Sequence, residues 1–120
     1  MTLLLIAAGA AVGAPARFLT DLVAAHYLGR HLPWGTLAVN TAGSGLAVFL
    51  AAAVADPAWS ALLATGFCGA LTTFSTLSWE TLVLVEQGRW RHAVLNIAVN
   101  LAGGLAAGLG GLALARLLGY

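Results

Sequence analysis

Four long stretches of almost uninterrupted apolar residues dominate this sequence of 120 residues. Only 8% of the residues are charged, no lysine occurs, and the mean hydropathy is +0.95. A soluble domain carries roughly 25% charged residues, so a soluble globular protein is excluded. The composition instead predicts an all-α membrane protein, because each stretch is long enough to cross a hydrocarbon core of about 30 Å as a helix.

The four stretches predict one transmembrane domain that covers residues 1–120, with short loops between its helices. The predicted spans are residues 3–25, 34–55, 58–85 and 93–115. The second stretch is followed by Asp56 and Pro57, where a charge and a proline both stop a helix. Tryptophans fall at the ends of the spans, where interfacial aromatic residues are common: Trp34, Trp59 and Trp90.

The few charges give weak guidance on orientation. Loops on one side hold Arg30, Arg89 and Arg91, while the other side has Arg116 and the amino terminus. Because basic residues stay preferentially in the cytoplasm, so small a difference permits insertion in both orientations and an antiparallel dimer. The net charge of +1 excludes nucleic acid as a partner. The single Cys68 excludes an intrachain disulfide.

Glycines are dense and regularly spaced in three of the spans. Such spacing lets helix backbones approach closely where no hydrophobic effect drives association. We therefore expect tight helix packing rather than ligand binding at these positions. The glycines concerned are Gly9 and Gly13, Gly43 and Gly45, and Gly104 and Gly108.

The third span carries polar residues where a lipid-facing helix would carry leucine and valine. On helical spacing Thr73, Thr76 and Glu80 share one face, with Thr72 and Ser75 beside it. Hydroxyls in membrane helices often bond to their own carbonyls one turn back. Five hydroxyls and a carboxylate within nine residues are too many for that explanation alone.

Glycines followed by a Thr-Thr pair also weaken the helix near the middle of the membrane. A broken helix is tolerated there only where its freed backbone groups face protein, water or an ion. Exposed carbonyls at the end of a half-helix form a cation site, and oxygen ligands suit a hard cation such as Na⁺. The pattern therefore predicts a broken third helix with a candidate carbonyl site.

Amides and one aromatic ring add to this polar set. Asn40 lies in the second span, and Asn96 and Asn100 lie one turn apart in the fourth. A buried amide most often links helices, at about 0.6 kcal/mol, but three amides beside a hydroxyl stripe also supply donors for an anion. Phe74 lies within the stripe, and the edge of its ring carries a partial positive charge that can face an anion.

Arg17 and Asp21 lie four residues apart toward the end of the first span. An ion pair between them is the expected arrangement, since it limits a burial cost of about 2.5–3.5 kcal/mol for a charge in a membrane. Attraction of anions into a vestibule is the alternative role of Arg17.

Three ordered motifs resemble the Fluc (CrcB) family of fluoride ion channels over the whole chain. Residues 66–76, GFCGALTTFST, resemble the family signature GFCGGLTTFST, with Ala70 in place of a glycine. Residues 33–40, PWGTLAVN, with Gly43 and Ser44, resemble the second-helix motif. Residues 13–18, GAPARF, resemble the first.

The resemblance implies an antiparallel dual-topology homodimer with two pores and a structural, non-transported Na⁺. The family's carbonyl ligands for this ion correspond to Gly69 and Thr72, and Arg17 matches a vestibule arginine. Asn96 and Asn100 stand where the family has a Tyr and a Ser, and Leu77 replaces a second pore phenylalanine. The residues that the resemblance and the polar stripe assign to the fluoride pore are Asn40, Phe74, Thr36, Thr73, Ser75, Thr76, Glu80, Asn96 and Asn100.

The resulting interpretation is a fluoride-specific channel, not an enzyme, in a prokaryotic plasma membrane. It would export fluoride passively, and its partners would be fluoride, lipid and a second copy or a homologous chain. A small proton-coupled multidrug transporter is one alternative, although it requires a carboxylate in the middle of the first helix and Asp21 lies near the end. A membrane assembly partner without transport activity is the other.

Overall fold

The computed structural model describes all residues of the chain and contains four helices long and apolar enough to cross a membrane. They are Thr2–Leu28, Trp34–Ala53, Pro57–Glu86 and Trp90–Leu117. No strand is present, so the predicted all-α membrane fold is confirmed. No end of a predicted span lies more than three residues from the observed end.

The first, second and fourth spans are continuous helices: α1 (Thr2–Leu28), α2 (Trp34–Ala53) and α6 (Trp90–Leu117). The third span consists of α3 (Pro57–Trp59), a π-helical segment (Ser60–Cys68), α4 (Gly69–Leu71) and α5 (Ser75–Glu86). Asp56 starts this span, because its Oδ1 accepts the backbone N–H of Ala58 at 2.8 Å. This cap and Pro57 in the first helical turn together fix where the third span begins.

The third span is interrupted between α4 and α5. Thr72 has φ −77° and ψ 154°, an extended conformation that ends the helix after Leu71. A new helix begins at Ser75. The predicted broken third helix is therefore confirmed.

Backbone contact joins α1 to the π-helical segment. A Cβ on Gly9 would overlap the carbonyl oxygen of Leu62, and a Cβ on Gly13 would overlap that of Phe67. Gly66 approaches α1 in the same way, since its Cβ would lie 2.6 Å from the Ile6 carbonyl oxygen. The predicted packing role holds for these two α1 glycines.

The closest approach between α2 and α6 involves Gly111, whose Cβ would overlap the carbonyl oxygen of Gly45. Gly104 and Gly108, the glycines of α6 that the sequence predicted to pack closely, lie farther from α2. Cβ atoms on them would make ordinary contacts at 3.4 Å with side chains of α2. Gly43 instead faces the break, where its Cβ would overlap the methyl group of Thr72.

Most apolar side chains of the four spans lie on the outside. Only 17 of the 120 residues are buried, and small residues supply much of the interior. This is the arrangement of a membrane bundle, in which lipid or another protein covers the apolar exterior. Of the other helices, α6 is the main packing partner of α5.

Candidate functional site

Asn40 takes the place of the helical hydrogen bonds that Thr73 lacks. Its Oδ1 accepts the Thr73 backbone N–H at 2.8 Å, and its Nδ2 donates to the Thr73 carbonyl oxygen at 3.1 Å. One side chain on α2 thus satisfies both backbone polar groups of a residue in the break. Burial of unpaired backbone groups would otherwise be costly inside the membrane.

The hydroxyl of Thr73 starts the second half of the span. Its Oγ1 accepts the backbone N–H of Thr76 at 3.1 Å and lies 3.5 Å from the Ser75 hydroxyl. The predicted continuous helical face of Thr73, Thr76 and Glu80 is wrong in this respect. Thr73 precedes α5 and caps it, and only Thr76 and Glu80 lie on the helix.

A network of amides extends from Asn40 into α6. Asn40 Nδ2 also donates to Asn100 Oδ1 at 3.0 Å, and Asn100 Nδ2 donates to the carbonyl oxygen and the Oδ1 of Asn96 at 2.8 and 3.1 Å. Asn96 Nδ2 then donates to Thr81 Oγ1 at 3.2 Å, and that hydroxyl donates to the Leu77 carbonyl oxygen at 2.7 Å. Asn96 and Asn100 are both buried.

Sequence reasoning missed Thr81, which closes this network on α5. The signal was weak, because a threonine adjacent to Glu80 lies off the expected polar face. Its position opposite Asn96 depends on how α5 and α6 are rotated against each other, which no spacing rule supplies.

The break leaves several carbonyl groups without their usual helical partners, including those of Gly69 and Thr72. In a continuous helix, the N–H groups of Thr73 and Thr76 would bond to the carbonyls of Gly69 and Thr72. They bond instead to Asn40 and to the Thr73 hydroxyl. The carbonyl oxygens of Gly69 and Thr72 accept no backbone hydrogen bond. The cation site itself stays a prediction.

An open groove of about 590 Å³ lies beside the break. Phe74 is 81% exposed there, while Leu77 is almost completely buried. Polar groups in the middle of a span therefore line an outer surface of the single chain. The groove residues are Asn40, Ser44, Gly69, Thr72, Thr73, Phe74, Leu77, Asn100, Leu101, Gly104 and Leu105.

A second space of about 570 Å³, here called the end cavity, lies between the second half of the third span and the α1–α2 turn. Thr76 and Glu80 line it. The buried Thr36 hydroxyl donates to the Glu80 carboxylate beside it. The charged and polar lining residues are Asp21, Arg30, His31, Thr76, Glu80, Gln87 and Arg89.

Arg17 does not line the end cavity, although Asp21 does. The expected ion pair between Arg17 and Asp21 is also wrong, because no ion pair within 4.0 Å joins them. Asp21 packs instead against α2, where a Cβ on Gly35 would lie 2.5 Å from its Oδ1. The vestibule role of Arg17 stays a prediction.

The structure thus divides the sequence-predicted residues into three groups. Asn40, Gly69, Thr72, Thr73, Phe74 and Asn100 meet at the groove. Thr76 and Glu80 line the end cavity, and Thr36 donates to Glu80 there. The remaining three differ from both groups: Asn96 is buried within the amide network, Ser75 is exposed beside Thr73, and Arg17 is half-buried on α1.

Comparison with known proteins gives consistent matches over nearly the whole chain. The family model described as CrcB-like protein, Camphor Resistance (CrcB), matches residues 4–112. A protein of Sulfurihydrogenibium sp. (strain YO3AOP1) named fluoride-specific ion channel FluC is 41% identical, over 96% of this chain and 97% of its own. Proteins named fluoride-specific ion channel FluC 1 from Thermobifida fusca (strain YX) and Streptomyces avermitilis are 47% and 45% identical, over 94% and 98% of this chain and the same shares of their own.

Relatives with these names are ion channels and not enzymes, and four apolar spans fit a multi-pass protein of the cell membrane. Both predictions are confirmed. With identities above 40% across almost the full length of each relative, and a family model that matches residues 4–112, this chain belongs to the CrcB family.

Proposed function

We propose that this chain is a fluoride-specific ion channel that exports fluoride passively from the cytoplasm. One observation supports this most: Thr73 lines the groove, Thr76 lines the end cavity, and the Thr76 N–H donates to the Thr73 hydroxyl. The two spaces are therefore adjacent across a single turn of polar residues. Such a line of donors gives a dehydrated anion a route through the second half of the third span.

The donors along this route suit a small anion that must also leave. Hydroxyls bind an anion without a fixed positive charge, and the ring edge of Phe74 adds a weak positive potential. Conduction requires binding that is favourable enough for entry and weak enough for release. Neutral donors meet that requirement better than a buried arginine would.

Passive export follows from the membrane potential. Fluoride enters cells as neutral HF, ionises at cytoplasmic pH and becomes trapped as the anion. A negative-inside potential then drives the anion outward with about 2.3 kcal/mol per charge per 100 mV. A selective pore is sufficient for export, and no coupled energy source is needed.

The groove supports assembly of two copies in antiparallel orientation. Its free carbonyl groups would be expensive to expose to lipid, so a second protein surface is the favoured cover. The weak basic bias of the loops permits both orientations in the membrane. Twofold symmetry would then duplicate the polar route and give two pores.

The free carbonyls of Gly69 and Thr72 fit a structural Na⁺ at the contact between the two copies. Two carbonyls from one chain are too few for a hard cation, but a second copy would double the number of oxygen ligands. When bound, the ion would neutralise converging carbonyl dipoles and stabilise the dimer. A Cβ on Gly69 would meet open space, so a second copy can approach this part of the surface.

Fluoride efflux from liposomes that contain only this chain tests the channel. We expect rapid loss of a fluoride gradient once a potassium ionophore balances charge, and slow loss of chloride from the same vesicles. Empty liposomes are the control. Proton-driven uptake of organic cations without fluoride efflux would favour the multidrug transporter, and no transport of any kind would favour an assembly partner.

Replacement of Na⁺ by a bulky organic cation tests the structural ion. We expect a lower thermal unfolding temperature and loss of dimer by light scattering, because a ligand that binds only the folded dimer stabilises it by mass action. The exchange is made by slow dialysis in detergent, so that a buried ion has time to leave. A melting temperature and mass independent of Na⁺ after this dialysis would contradict the site.

A further inference from the structure

The amide network joins two points of the third span through two other helices. It leaves Thr73 in the break, passes through Asn40 on α2 and Asn100 and Asn96 on α6, and returns to Thr81 on α5. Both ends therefore lie on the polar half of the third span. We propose that Asn96, Asn100 and Thr81 are positioning residues that hold Asn40, and through it the break, in the conformation that conducts; this rests on the proposed channel function.

Asn100 has no donor left for an anion. Its amide nitrogen carries two hydrogens and has two acceptors on Asn96, the carbonyl oxygen at 2.8 Å and Oδ1 at 3.1 Å. Its own Oδ1 accepts from Asn40. Asn100 therefore acts on the break through Asn40 rather than as a ligand in the pore.

Thr81 fixes the orientation of the Asn96 amide at the far end of the network. A hydroxyl has one hydrogen, and Thr81 donates it to the Leu77 carbonyl oxygen, so toward Asn96 it can only accept. This turns the Asn96 nitrogen to Thr81 and its oxygen to Asn100. The Asn96 backbone carbonyl oxygen can also only accept, so the Asn100 nitrogen faces Asn96 and the Asn100 oxygen faces Asn40.

Asn40 is the last member of the series, and its orientation decides the geometry of the break. With its nitrogen facing Asn100, its oxygen is left to accept the Thr73 N–H. If the amide were reversed, its NH₂ group would face the Thr73 N–H and that bond would be lost. The buried network thus holds Asn40 in the orientation that the Thr73 backbone requires, and it ends at a hydroxyl that lies outside both the groove and the end cavity.

The variant Thr81→Val tests this without touching the pore. Valine keeps the shape of the side chain but removes the acceptor of Asn96. We expect backbone amides of residues 73–76 to exchange hydrogen for deuterium about threefold faster for each hydrogen bond lost, measured without fluoride. Fluoride efflux falls in the same variant, and Thr81→Ser restores both values.

Thr20→Val is the matched control. Thr20 also donates its hydroxyl to a carbonyl one turn back, that of Ala16 at 2.8 Å, but it lies on α1 outside the network. We expect wild-type exchange at residues 73–76 and wild-type efflux from this variant.

Unchanged exchange at residues 73–76 in folded Thr81→Val overturns the proposal, whether or not efflux is reduced. If Thr81→Val does not fold, Asn96→Leu is measured in the same way, and faster exchange supports the proposal while unchanged exchange overturns it. Failure of the proposed channel function has a different result, namely no fluoride efflux from the wild-type protein. Hydrogen exchange is measured without fluoride, so it tests the positioning residues in either case.

Discussion

Asn40→Asp replaces the amide nitrogen that donates to Thr73 and Asn100 with an oxygen. The effect on stability follows from the distances around this atom. An aspartate still offers an oxygen to the Thr73 N–H, now 2.8 Å from Asn40 Oδ1. It loses both donors, so its second oxygen would face the Thr73 carbonyl oxygen at about 3.1 Å and Asn100 Oδ1 at about 3.0 Å. Two attractive contacts become contacts between acceptors.

Two estimates bound the loss in the free energy of unfolding. Interhelical hydrogen bonds in membranes average about 0.6 kcal/mol, which gives about 1.2 kcal/mol for two. A buried acceptor left without a donor costs about 1–3 kcal/mol, which gives up to about 6 kcal/mol for two. We therefore expect Asn40→Asp to unfold at a clearly lower denaturant concentration than wild type.

Ser44→Ala is the matched control. Ser44 lies one turn later on α2 and lines the same groove. We expect a change of no more than about 0.5 kcal/mol from this substitution. Both variants are unfolded in detergent and followed by tryptophan fluorescence, and the folded protein is assayed for fluoride efflux from liposomes.

Efflux by Asn40→Asp should be abolished, because a fixed negative charge in the groove repels the anion, whereas the Glu80 carboxylate lies in the end cavity and accepts the Thr36 hydroxyl. Wild-type stability of this variant would refute the hydrogen bonds assigned to Asn40. Wild-type efflux from the folded variant would remove Asn40 from the pore. The two readouts are independent, so the positioning role and the pore role can fail separately.

Two further substitutions probe packing and the pore. Gly9→Ala should destabilise the protein by about 1–3 kcal/mol in the same unfolding assay, because its methyl group would overlap the backbone of Leu62, whereas Gly110→Ala has open space and should not. Leu77→Phe should change efflux of the homodimer only modestly, since Leu77 lines the groove but is 7% exposed; efflux that appears only after a second homologous chain is added would make the functional unit a heterodimer.

The location of the break was predictable, but its internal geometry was not. Glycines before Thr72 and Thr73 indicate that the helix is weak there, and the structure breaks it at that point. The pattern of hydroxyls then suggested a continuous face, because helical spacing assumes regular φ and ψ through the segment. An extended Thr72 changes the register, so Thr73 caps α5 instead of lying on it.

Interhelical partners were beyond the reach of spacing rules. Asn96 and Asn100 are visibly one turn apart, but whether they face an anion or each other depends on the rotation of α6 and on the orientation of each amide. The same is true of Gly111, which makes the closest contact with α2 although a different pair has the expected spacing. Arg17 illustrates the reverse case, since four-residue spacing predicted an ion pair with Asp21 that does not form.

Phe74 is the residue whose proposed role depends most on a second copy. In the single chain its ring is 81% exposed, beside the free carbonyls of Gly69 and Thr72. A ring edge attracts an anion only weakly, and the attraction is useful only where water and lipid are excluded and the local dielectric is low. The surface that encloses Phe74 must therefore also cover the carbonyls next to it. In the proposed antiparallel dimer, one contact between the two copies encloses Phe74 and covers the carbonyls. Dimer formation would therefore close the pore and build the Na⁺ site at the same time.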